Sequence, residues 1–249
     1  MTITDDETNA WIRRYHPSTT SRKRLVCFPH AGGAATFYHP VSAAFSPAAD
    51  VVALQYPGRQ DRRREARIDD LGVLADRVAE QLMDLSEKPS VFFGHSMGAT
   101  LAFEVAWRLE HKGANAPRAV LVSGRRAPST RREEKVHLSD DDGLIAEIRK
   151  LEGTDSALLD DEMLRIALPA IRSDYRAIES YTCEPGRRLG CAITALTGDS
   201  DPKTSLAEAE AWRAHTSGAF HLKVFPGGHF FLTAQQAAVN AEIAAALDF

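Results

Sequence analysis

The sequence predicts an α/β protein with one mostly parallel sheet covered by helices on both faces, and three observations carry the prediction. Short apolar, β-branched runs alternate with longer amphipathic stretches, the runs show no polar face, and glycine-rich turns follow several of them. A parallel sheet has no solvent side, so its strands read as continuous apolar runs. Residues 24–28, 51–55, 90–93, 119–123, 192–197 and 221–225 read this way. Helical spacing marks 71–85, 99–112, 206–215 and 234–247.

At 249 residues the chain is at the upper end of what one hydrophobic core serves, so residues 1–249 are expected to form a single domain. One segment breaks the alternation. Residues 125–187 contain no strand candidate, only helical stretches at 140–151 and 160–181, which is too long for an ordinary crossover. It is read as a helical lid insertion over the carboxyl ends of the strands, where open α/β sheets bind ligands. The plainer alternative is an extra helical layer with no part in access.

The net charge of -4 gives the molecule no footprint for a polyanion, so no nucleic-acid partner is expected. The first twenty residues hold acids and no apolar run, unlike a signal peptide. No stretch reaches the roughly 18 apolar residues of a membrane span, so no membrane association is expected. Cys27, Cys183 and Cys191 have no metal-ligand spacing and cannot all pair, which fits a reducing, cytoplasmic setting. Neither a metal nor a cofactor is implied.

After the apolar run at 90–93 comes Gly94-His95-Ser96-Met97-Gly98, followed by an alanine-rich helical stretch. This is G-x-S-x-G between strand and helix, the nucleophile elbow of the α/β-hydrolase fold. It offers Ser96 as nucleophile and the Met97 N–H, at the positive end of a helix, as an oxyanion donor. The run at 24–28 leads into Pro29-His30-Ala31-Gly32-Gly33, where that fold draws its second donor, assigned to Ala31. A phosphate cradle there lacks the lysine and the spacing of a P-loop.

The run at 192–197 ends in Gly198-Asp199-Ser200-Asp201-Pro202, and the run at 221–225 in Pro226-Gly227-Gly228-His229. The order is then Ser, Asp, His, as the hydrolase fold requires. His229 is the candidate base. Asp199 and Asp201 compete as its orienting acid, and Asp201 is favoured because Pro202 fixes the backbone beside it. Asp199 is read as a loop brace, His30 and His95 as packing residues, and the other histidines as surface or packing groups.

Taken together, these motifs and Gln55-Tyr56-Pro57-Gly58-Arg59 resemble the type II thioesterases, the editing enzymes that accompany polyketide and non-ribosomal peptide synthases. The resemblance covers nearly the whole chain. It implies an acid at Asp201, oxyanion donors at Ala31 and Met97, and a mobile lid whose residues 174–181 line an acyl chamber. The implied partner is a carrier protein with an acyl-phosphopantetheine arm, and the implied job is removal of aberrant or stalled acyl groups by a monomeric enzyme. Clusters at Arg59, Arg62, Arg63, Arg64 and Arg67 and at Arg125, Arg126, Arg131 and Arg132 are read as basic docking patches for that acidic partner, with solvated surface charge as the alternative.

Three other readings share these residues. A carboxylesterase or acyltransferase would use the same triad. A chain-terminating thioesterase domain would sit fused to a synthase, whereas no carrier domain is read here. A binding protein on this fold would be expected to lack a triad member.

Overall fold

Seven strands form one sheet in the order β1-β3-β2-β4-β5-β6-β7, parallel except where β1 runs against β3. The computed structural model describes residues 10–83, 85, 88–152 and 161–248. In chain order the elements are β1 (Ile12–Arg13), β2 (Arg24–Phe28), α1 (His39–Phe45), β3 (Asp50–Leu54), α2 (Leu71–Met83), β4 (Ser90–His95), α3 (Met97–His111) and β5 (Ala119–Ser123). There follow α4 (Asp141–Glu152), α5 (Asp161–Ser180), β6 (Ala192–Gly198), α6 (Leu206–Glu210), β7 (Phe220–Phe225), α7 (Phe231–Ala234) and α8 (Gln236–Leu247).

Alternate residues of each central strand enter opposite layers, as the two-residue strand period demands. Val26, Phe28, Val52, Phe92 and Val120 pack under α2 and α3, while Leu25, Cys27, Val51, Val91 and Phe93 pack toward α1 and α8. Strands β2, β3 and β4 are buried throughout, which is why their sequences carry no polar face. Edge strand β7 alternates and is half exposed.

The chain places β3 on one side of β2 and then crosses over to place β4 on the other, so the direction of winding reverses between β2 and β4 while the strands stay parallel. Crevices at such a reversal, outside the carboxyl ends of the strands, are where open α/β sheets hold ligands.

Two elements lay below the sequence signal. β1 has two residues, too few for a period, and α1 has seven residues with Pro40 in its first turn. The predicted helix at 206–215 splits: α6, opened by a Ser205/Glu208 capping box, gives way at Ala211 to a 3-10 segment. The predicted final helix starts at Gln236, with the short α7 ahead of it.

Between β5 and β6 the described residues hold helices and no strand. α4 and α5 close over a small apolar cluster of their own, including Leu144, Ile145, Leu164, Leu168 and Ile171. Among the described residues, no helix is long and apolar enough to cross a membrane. All three cysteines are unpaired, and Cys27 is buried.

Candidate active site

Ser96 sits between β4 and α3 with φ 53° and ψ -120°, a left-handed conformation that side chains rarely adopt. Such geometry costs on the order of 1–3 kcal/mol and persists only where its surroundings enforce it. Two close approaches do so here. A Cβ on Gly94 would lie 2.1 Å from the Gly98 carbonyl oxygen, and one on Gly98 would lie 2.0 Å from that of Phe28. Only hydrogen fits at either position, so α3 starts hard against the ends of β4 and β2. The Ser96 N–H donates to the Ser123 carbonyl at 2.8 Å, tying the turn to β5.

The loop after β2 is fixed at its base by two phenols: Tyr38 donates to the Phe28 carbonyl at 2.8 Å and Tyr56 to the Pro29 carbonyl at 3.2 Å. The Gly33 N–H closes a turn onto the His30 carbonyl at 2.9 Å. Among the described residues, neither the Ala31 N–H nor the Met97 N–H donates to a protein acceptor. Both remain available to an incoming oxyanion.

Asp201 and His229 meet at the ends of β6 and β7. The imidazole Nδ1 lies 3.0 Å from each Asp201 carboxylate oxygen, and both side chains are buried. Nδ1 is thus the donor, which leaves Nε2 as the ring's acceptor. Lys203 donates its N–H to Asp201 Oδ1 at 2.8 Å, just past Pro202. Asp199 instead accepts from the Gly227 N–H at 3.0 Å, bracing one loop against the other.

No hydrogen bond joins the Ser96 hydroxyl to the His229 ring. The ring does lie 5.0 Å, centroid to centroid, from that of His95, the residue before Ser96. Catalytic hydrogen bonds of this kind often reach their proper length and alignment only in the substrate complex.

His30 and His95 pack among aromatic rings, His30 at 4.7 Å from Phe37 and 5.0 Å from Phe230. Burial, with His229 and Arg59 nearby, pushes His30 down to about 3, and burial holds the fully buried His95 well below the ordinary histidine value. Both stay neutral beside the base. Among the described residues, no cluster of three or more His, Cys, Asp or Glu could hold a metal ion.

Sequence reading missed one device at this site. Asp174 on α5 is buried, pairs with Arg59 through contacts of 2.8 and 2.9 Å, and accepts the Gly32 N–H at 2.7 Å. Arg59 also donates to the Gly33 carbonyl at 3.0 Å. Burial alone would lower the Arg59 pKa, and the Asp174 charge more than reverses that. The oxyanion loop is therefore clamped to α5, with Ile171 filling the space beside Gly32.

This trims the expected docking patches, of which Arg63, Arg64, Arg67 and Arg131 remain exposed. Arg59 and Arg62 are buried, and Arg62 is engaged by Glu65 and the Gln55 carbonyl, so neither is a surface charge. In the second cluster Arg126 is buried against Glu134, and Arg132 pairs with Glu208. Residues 174–181 divide between roles: Asp174 is locked in its pair, while Ile178, Glu179 and Tyr181, which donates to Glu104 at 2.6 Å, border a cavity.

A doubly covered parallel sheet with a strained serine at its reversal point defines a serine hydrolase of the α/β-hydrolase fold. The chain belongs to the thioesterase domain family, whose model matches residues 23–247. It is 63% identical over 248 residues to a probable cadicidin biosynthesis thioesterase of Streptomyces griseus, covering 99% of this chain and 68% of the relative. Identity to the thioesterase PikA5 of Streptomyces venezuelae is 47%, over 92% of this chain and 82% of that protein. The solved structure of BorB, a type II thioesterase from the borrelidin biosynthetic cluster, matches with a TM-score of 0.91 and 51% identity, over 96% of this chain and 98% of that one.

Proposed function

We propose that the chain hydrolyses acyl thioesters carried on the phosphopantetheine arm of a carrier protein, clearing aberrant or stalled acyl groups from a polyketide or non-ribosomal peptide synthase. The observation that carries the reading is the strained Ser96 at the end of β4, flanked by two unspent backbone donors and a buried Asp201–His229 pair. Its relatives' names supply the thioester and the biosynthetic setting.

In the proposed cycle the Ser96 oxygen attacks the thioester carbonyl carbon while His229 Nε2 takes the hydroxyl proton. The Ala31 and Met97 N–H groups hold the oxyanion, and Asp201 steadies the imidazolium. The C–S bond breaks and the leaving sulfur takes the proton from His229. Water, deprotonated by the same ring, attacks the acyl-serine and releases a carboxylic acid, restoring Ser96.

Residues 1–249 are read as one domain, with 125–187 as its helical lid. The separate apolar cluster of α4 and α5 and the seat of α5 on the oxyanion loop support that reading. The test is hydrolysis of acyl-loaded carrier protein, with fluorophosphonate labelling of Ser96. The protein should release free acid and take up the label, and Ser96→Ala should do neither. Undiminished hydrolysis by Ser96→Ala would overturn the reading.

A further inference from the structure

Beside the candidate triad, a cavity of about 470 Å³ opens between the loop after β5, the first turn of α3 and the end of α5. Thr100, Arg125, Arg126, Arg131, Lys135 and Tyr181 are among its walls. Its walls connect to the triad through residues close to it in the chain. Thr100 lies one helical turn beyond Ser96 on α3. Arg125 follows Gly124, where a Cβ would come 2.5 Å from the His95 ring and 3.5 Å from the His229 ring.

The walls carry donors that nothing in the protein uses. Thr100 is 1% exposed and its hydroxyl has no partner. Arg126 is 5% exposed; one nitrogen meets Glu134 while Nη1 is buried without a partner. Arg125 forms no ion pair among the described residues, and its backbone is held by Trp212, which donates to the Arg125 carbonyl at 2.8 Å. Of the three acids along the cavity wall, Glu134 is engaged by Arg126 and Lys203, Glu179 by His137 and the N–H groups of Val136 and His137, and Glu133 is exposed to solvent. Desolvation, with Arg126 alongside, pushes the partly exposed Arg125 guanidinium down to about 9 against the opposing pull of Glu134 and Glu179. A partly buried cation with no ion-pair partner of its own is costly, and an anion seated against it would relieve that cost.

We propose that this cavity is an anion subsite that receives a phosphate or carboxylate carried by the thioester substrate, with Arg125, Arg126 and Thr100 as its donors. The planar guanidinium fork matches either oxyanion. Two parts of a thioester substrate can bring one: the phosphate of the pantetheine arm, or a distal carboxylate on a dicarboxylic acyl group. The proposal rests on Ser96 being the thioester nucleophile.

The test uses two matched pairs: butyryl-pantetheine against butyryl-phosphopantetheine, and butyryl-pantetheine against succinyl-pantetheine. For each, the ratio of kcat/KM, charged over uncharged, is compared in the unaltered protein, Arg125→Gln and Arg125→Lys. In the unaltered protein at least one ratio should favour the charged substrate. Arg125→Gln should cut that ratio about tenfold or more, and Arg125→Lys by less, as loss of a charge-assisted contact requires. The pair that responds identifies which anion the cavity takes.

No preference in either pair, or a preference that Arg125→Gln leaves intact, overturns the proposal. If circular dichroism shows Arg125→Gln unfolded, Thr100→Val is read in the same way, with a smaller loss in the same pair expected and an unchanged ratio counting against the subsite. Failure of the underlying reading shows separately, as Ser96→Ala retaining hydrolysis of uncharged butyryl-pantetheine.

Discussion

The turn at Ser96 and the buried pair at Asp174 both border the oxyanion loop, yet they are held in different ways. Around Ser96 the restraint is backbone against backbone, with the elbow glycines pressed to within hydrogen-only distance of neighbouring carbonyls. Around Asp174 it is charge against charge, across 115 positions of sequence and between the core and a helix outside the sheet. The first restraint cannot relax without moving β2 and β4. The second is released whenever α5 shifts. One side of the oxyanion site is therefore as rigid as the sheet, and the other is only as fixed as the helix lying over it.

The rigid side should carry the largest effects. Ser96→Ala is expected to lower kcat/KM on an acyl thioester by about 10⁵-fold or more with the fold intact, as when a hydrolase loses its nucleophile. Circular dichroism and single-turnover kinetics on one preparation would check both halves. Asp201→Asn should follow, with a loss of about 10⁴-fold in kcat and little change in KM, because an amide can hold the ring in the wrong tautomer. If Asp199→Asn proved the more damaging of the two, the assignment of acid and brace would be reversed.

These contrasts also decide what the sequence revealed. Strand runs at β2, β4 and β5 were legible because burial on both faces leaves a local apolar signature. Ser96, Asp201 and His229 were legible because each follows a strand in a glycine- or proline-marked turn. The Arg59–Asp174 pair left no such mark. Arg59 stands among five arginines and reads as surface charge, and Asp174 sits in an amphipathic helix where an aspartate is ordinary. Only the three-dimensional path of the chain brings them together, so composition pointed toward a docking patch where the fold makes a clamp. β1 and α1 escaped for a simpler reason, being too short to show a period.

The clamp should give the next effect. Asp174→Ala leaves Arg59 buried without its partner, and losing one member of a buried pair costs about 3–5 kcal/mol. Urea unfolding should show that loss. Activity should fall further than stability explains, because the Gly32 N–H loses its acceptor beside the Ala31 donor. The expected sign is a drop in kcat of about ten- to a hundredfold at a temperature where the variant is fully folded, with KM less affected. A variant that is destabilised yet keeps its kcat would mean that α5 does not set the oxyanion loop.

The smallest effect tests the neutral histidines. His30 has an ordinary value of 6.5 and is pushed down to about 3 by burial first, then by His229 and Arg59. The folded state therefore stays unprotonated while the unfolded chain takes a proton as pH drops below its ordinary value. Stability is full above that value and declines as pH falls, by up to about 1.4 kcal/mol per pH unit for this one group. His30→Phe keeps a ring against Phe37 and Phe230 and removes the titration. The slope of unfolding free energy against pH, measured from about pH 6.5 to 4.5, should become shallower by close to one proton. His95, fully buried and also held low, keeps the remaining slope from vanishing. Equal slopes in the two proteins would mean that His30 takes up a proton in the folded state, placing a positive charge close to His229.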